Sequence, residues 1–193
     1  MFHVKRDGSV YDLKVAGDEA CDLRDLLYSI AYERRFSGKL AWTVLQHSIV
    51  MGRVARRKEW SKERVQFCYL HDIHEAIIRD VPTPFKREVG YEWYRMEHLV
   101  QKRVLDSLGV GYLAELNKDL ECKMLDSCAA YCEARRMFPE GSDIVRSLFE
   151  ETHVYYAKLW LQVFDEVKDL KMLDDKGEVL QMWIDEFEEV LKL

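Results

Sequence analysis

A chain of 193 residues, 48% hydrophobic and 33% charged, is long enough to bury a sizeable core and is expected to form a single domain over 1–193. The net charge of −6 excludes a general electrostatic pull toward nucleic acid, and no window approaches the roughly 18 apolar residues of a membrane span. Five cysteines (Cys21, Cys68, Cys122, Cys128 and Cys132), none in a CxxC pair, read as free thiols in a reducing, cytoplasmic setting.

The opening MFHVKRDGSVYDL has no apolar run of the signal-peptide kind. Residues 1–17 alternate loosely around Asp7-Gly8, which is a hairpin signal. Only three prolines and nine glycines punctuate the whole chain, and long stretches beyond residue 17 carry 3.6-residue periodicity. The fold class predicted is therefore all-α, a helical bundle behind a short N-terminal hairpin or extended segment. A first helix is expected over 22–34, ending before RFSGK, and a second over 42–58. A third starts at SKE and runs into Asp80, where Pro82 and Pro84 forbid continuation. Further helices are expected over 87–107, 113–137 and 142–169, and a polar DDKGE break precedes an amphipathic helix over 178–191. The stripe of that last helix (Val179, Trp183, Phe187, Val190) suits the core or the face of another subunit.

The stretch LHDIHEAIIRDVPTPFK, residues 70–86, sets ionisable side chains among Leu, Ile, Val and Pro, so either it lies on the surface or something pairs its charges, and a metal ion is the partner expected. His47 shares a helical face with Val44, Val50, Met51 and Val54 and so points inward. His71 and Asp72 are adjacent and diverge by about 100° on a helix, so both reach one ion only where it sits between helices. Asp126 lies among Leu125, Cys128, Ala129 and Ala130, where an inward carboxylate needs a cation or donors. Two imidazoles and two carboxylates suit a divalent transition metal better than calcium. Glu75, four residues past His71, is placed on its face to orient or deprotonate a water. Asp80 is a second acid/base candidate, Lys86 and Arg35 can meet a phosphate, and His74 reads as an outer or surface residue.

A His, a His-Asp dipeptide and a later Asp, all in helical segments, resemble the HD-domain phosphohydrolase superfamily. The flanking blocks extend the likeness over about residues 20–138. RRFSGK…WTVLQHSIV resembles the segment before the first His in small bacterial and phage members. HDIHEAIIRDVPTPFK and KMLDSCAAYCEARRM resemble blocks of the 5′-deoxynucleotidases and phage dATP triphosphohydrolases. The resemblance implies metal ligands at His47, His71, Asp72 and Asp126, and the cofactor expected is a divalent ion (Co, Mn, Zn or Mg). It implies that Glu75 handles the water, that Asp80 assists the leaving group, and that Arg35 and Lys86 touch phosphate. Phe36 falls where relatives hold an aromatic near the sugar, which favours deoxyribose. Two departures stand out: Lys39 replaces a His of many phage relatives, and the gap from His47 to His71 is short.

The function implied is a metal-dependent phosphohydrolase of deoxynucleotides, with dATP or dAMP as substrate. A general 5′-deoxynucleotidase is the nearest alternative, ahead of cyclic-nucleotide or alarmone hydrolysis. A catalytically silent HD fold that binds nucleotide is the reading of another class. The partners expected are a deoxynucleotide and further copies of the chain, in the cytoplasm (the host's, for a phage gene), with neither nucleic acid nor membrane.

Overall fold

Apolar residues recur at helical spacing from Leu23 onward, and the protein follows them. The structure, a computed structural model, describes residues 2–4, 10–12, 21–39, 41–151, 157–172 and 177–192. Among these, strands β1 (Phe2–Val4) and β2 (Val10–Asp12) pair antiparallel with His3 opposite Tyr11, and all other regular structure is helical. The paired strands agree with the expected hairpin, whose Asp7-Gly8 turn lies outside the described residues. No described helix is long and apolar enough to cross a membrane.

The described chain groups into two compact units, each assembled from two separate stretches. The first comprises the described parts of 1–45 together with 70–114. Its helices are α1 (Leu23–Tyr32), α4 (Glu75–Ile78), α5 (Thr83–Val89) and α6 (Tyr91–Ser107), followed by a 3-10 segment that begins at Gly111. Asp22 caps α1 by accepting from the Arg24 and Asp25 amides, and Leu26, Leu27 and Ile30 are fully buried. The second unit comprises 46–69 and 115–193. It holds nearly all of α2 (Val44–Arg57) and α3 (Lys62–Leu70), with α7 (Leu120–Met137), α8 (Asp143–Glu151), α9 (Ala157–Asp169) and α10 (Glu178–Lys192). Here α7 packs on α8 and α9, and Asp119 caps α7 through the Cys122 amide at 3.0 Å while gripped by Arg64.

Several expected boundaries are corrected. The third helix stops at Leu70 instead of reaching Asp80. From there the backbone tightens into i→i+3 hydrogen bonds (Ile73 to Leu70, Glu75 to Asp72, Ala76 to Ile73), and α4 is a separate short helix. Gln101 holds the break open by donating to the His71 carbonyl at 2.6 Å, a long-range bond that no local spacing announces. The expected fourth helix begins early, because Pro84 in the first turn of α5 loses no needed hydrogen bond. Gly90, at φ +76°, then divides α5 from α6. The expected fifth helix starts as a 3-10 segment (Gly111–Lys118) before α7. In the expected sixth, α8 and α9 are described on either side of 152–156, which lie outside the described residues. On α10, Trp183, Phe187 and Val190 are buried as expected of a core stripe, and Leu180, rather than Val179, completes it. All five cysteines are buried and unbridged, and burial pushes the Cys132 thiol up to about 12.

Candidate functional site

The second unit supplies one cluster. His47 stands on α2 with no exposed surface, as its apolar face requires. Its Nε2 lies 3.0 Å from Asp126 Oδ1 and its Nδ1 lies 2.8 Å from Glu133 Oε1. Asp126 and Glu133 both stand on α7, seven residues apart, and two turns of helix bring them to one face. Their exposures differ sharply. The Asp126 side chain is 46% exposed, so it is not the buried carboxylate expected from its neighbours, while Glu133 is fully buried. One imidazole thus bridges a carboxylate inside the core and one open to the outside.

The first unit supplies the other. His71 Nε2 lies 3.2 Å from Asp72 Oδ2, which Arg35 approaches to 3.5 Å. The tight turn, not a helix, makes this pairing of adjacent residues possible. Glu75 therefore shares no helix with His71; it opens α4, buried, and its Oε2 has no hydrogen-bond partner among the described residues. Burial, then the charges of Asp72 and Asp80, push the Glu75 carboxyl well up, against the opposing pull of Arg35 and Lys86. His74, expected as an outer or surface residue, is buried and donates through Nδ1 to the His71 carbonyl at 3.0 Å.

Around this cluster the remaining expected residues fall in the same unit. Glu33 holds the approach to Asp80, accepting from Arg79 Nη1 at 2.7 Å and the Asp80 amide at 3.3 Å. Lys86 Nζ meets Glu97 Oε1 at 2.5 Å. Burial pulls the Lys86 ammonium down, but the Glu97 bond and the charges of Glu75, Glu97 and Asp72 hold it above its ordinary value. Arg35 and Phe36 begin a tight loop closed by the Arg35 amide on the Trp42 carbonyl at 2.9 Å. Phe36 and Ser37 both take φ +57°, a left-handed conformation that costs non-glycine residues about 1–3 kcal/mol each and gathers at functional sites.

No protein-family model matches this chain, and no curated protein matches it.

The donor chemistry can still be tested against an ion. Bonds of about 2.1 Å set neighbouring ligand atoms about 3.0 Å apart in an octahedron and about 3.4 Å apart in a tetrahedron. The His47–Asp126 pair, at 3.0 Å, has the octahedral spacing, and the His71–Asp72 pair, at 3.2 Å, lies between the two. Each unit therefore offers one nitrogen and one oxygen at a separation a divalent ion accepts. The orphaned Glu75 oxygen calls for a donor such as an ordered water.

Sequence reasoning did not find Glu133, Glu97 or Gln101. Glu133 was legible as the residue seven past Asp126. Glu97 and Gln101, four apart on α6, share a face that meets Lys86 and the His71 turn.

Proposed function

We propose that the protein is a divalent-metal-dependent phosphohydrolase of deoxynucleotides, of HD-domain type, with His47, His71, Asp72 and Asp126 as its metal ligands. The observation that carries this reading is the pair of His–carboxylate couples at ligand spacing, one on α2 and α7 and one on the turn after α3. A bound ion of Mn, Co, Zn or Mg type supplies charge neutralisation at phosphorus and an acidified water.

The protein's own groups do the rest. Glu75, whose carboxyl is pushed up by burial and then by the charges of Asp72 and Asp80, serves as the general base. It takes a proton from the attacking water as the new P–O bond forms and the bond to the leaving oxygen breaks. Asp80, held close by Glu33, serves the leaving group. Lys86 and Arg35 bind the phosphate oxygens, and both carry carboxylate partners (Glu97 and Asp72) that keep them extended before substrate arrives. Phe36, fixed in its strained loop with the Arg35 guanidinium 5.9 Å from its ring, lies against the sugar and disfavours a 2′-hydroxyl. The sequence blocks that resemble phage enzymes favour dATP or dAMP.

The test is product analysis after incubating metal-stripped protein with Mn, Co, Zn or Mg and each dNTP and dNMP. Triphosphate or stepwise phosphate release from dATP supports the triphosphate reading. Phosphate from several dNMPs but no dNTP makes the protein a 5′-deoxynucleotidase. Stoichiometric nucleotide binding without turnover in any metal overturns the catalytic reading in favour of a silent binding module.

A further inference from the structure

Two acidic residues two turns apart on α7 take the two ends of one imidazole, yet they cannot do the same job. Glu133 has no exposed surface, so no ion that exchanges with solvent reaches its oxygens without opening the core. Asp126 is 46% exposed and faces the other ring nitrogen, Nε2. With Nε2 given to an ion, Nδ1 is the nitrogen left to carry the ring proton, and at 2.8 Å it is placed to donate that proton to Glu133 Oε1. A neutral ring with its proton on Nδ1 carries its lone pair on Nε2, on the Asp126 side. The contact also fixes the ring about its own axis, because both nitrogens are now committed.

We infer that Glu133 is a positioning residue of the metal site, acting through His47 by holding its Nδ1 proton and turning Nε2 toward the ion. The inference rests on the metal reading above and deepens it, since it assigns a task to a buried charge that the four ligands leave unexplained. Outer carboxylates of this kind change metal affinity about 10- to 100-fold when removed. The burial of Glu133 agrees with such a role. In water the imidazole would exchange its partner freely, whereas in the core the hydrogen bond is strong and the alternative tautomer leaves the carboxylate facing a lone pair.

The experiment is titration of the metal-stripped full chain with Mn by calorimetry, comparing the natural sequence with Glu133→Gln and Glu133→Asp. Thermal midpoints of the ion-free forms are recorded beside the affinities. The expected result is a 10- to 100-fold weaker Mn affinity in Glu133→Gln with an ion-free midpoint close to that of the natural chain, and partial recovery in Glu133→Asp. Equal affinity in all three overturns the positioning role and leaves the metal reading intact. No Mn, Co or Zn binding by the natural chain overturns the metal reading, and the positioning role with it. Should the Gln variant fail to fold, nitrogen NMR of the natural chain loaded with Zn decides the matter. A proton on His47 Nδ1 supports the role, and a proton on Nε2 overturns it.

Discussion

Glu75 is the side chain whose environment says most about the chemistry. It is buried, one of its oxygens lacks a hydrogen-bond partner among the described residues, and its carboxyl is raised first by desolvation and then by Asp72 and Asp80. The folded chain therefore keeps a proton that the unfolded chain releases near pH 4.3 or so. Stability from this group is complete below that pH and is lost as pH rises through the higher folded value. Glu75→Gln, which cannot ionise, is expected to raise the thermal midpoint of metal-free protein, with a gap over the natural chain that widens from pH 5 to pH 8. A gap that stays constant across that range contradicts the buried-proton argument. In the metal-loaded protein the same substitution is expected to lower kcat by about 10²- to 10⁴-fold, the usual contribution of general-base catalysis. At this scale much was legible. The face shared by His47 with Val50, Met51 and Val54 fixed its burial, and the charge packed around His71 announced a cluster. What could not be read was partnership across chain distance, such as His47 with Glu133, because periodicity orders residues along one helix and not between two.

Among the elements, the turn between α3 and α4 decides the geometry. A continuous helix would have set His71 and Asp72 about 100° apart. The i→i+3 turn brings them to 3.2 Å, and its freed His71 carbonyl is bound by Gln101 and His74. Gln101→Leu removes the amide donor at 2.6 Å and leaves a buried carbonyl under-satisfied. The expected loss is about 1–3 kcal/mol in chemical denaturation, together with weaker metal affinity from the loosened turn. An unchanged midpoint would show that the turn stands without it. The second element-level device is the bare patch at Gly52 on α2, where a Cβ would collide with the Tyr69 ring. That ring stacks edge-on against Phe187 at 5.0 Å and sends its hydroxyl to Glu186, which Arg53 grips with two bonds. Gly52→Ala is expected to destabilise by about 1–3 kcal/mol, as overpacking does, readable as a lower urea midpoint. The sequence told helix from loop well where Gly or Pro marked an end. It failed after Leu70, where no breaker residue stands and the helix ends because tertiary donors take its carbonyl.

For the whole molecule, the chain order scatters the proposed ligands. His47 and Asp126 belong to the unit formed by 46–69 and 115–193, while His71 and Asp72 belong to the unit that includes 70–114. Helical periodicity with few breakers predicted an all-α protein, and the cysteines read as free thiols; the described residues show both. The division into two discontinuous units was not legible, because no linker or change of composition marks it. An ion that binds only the folded chain adds about 2.7 kcal/mol of stability at a hundredfold excess over its dissociation constant. The measurement that tests the central proposal most directly is the Mn stoichiometry of the natural chain, His47→Ala and His71→Ala, read by equilibrium dialysis with metal analysis. One ion per natural chain, lost in both variants while each remains folded, is the expected result. Retention of the ion in either folded variant, or two independent ions per chain, would contradict the proposed ligand set.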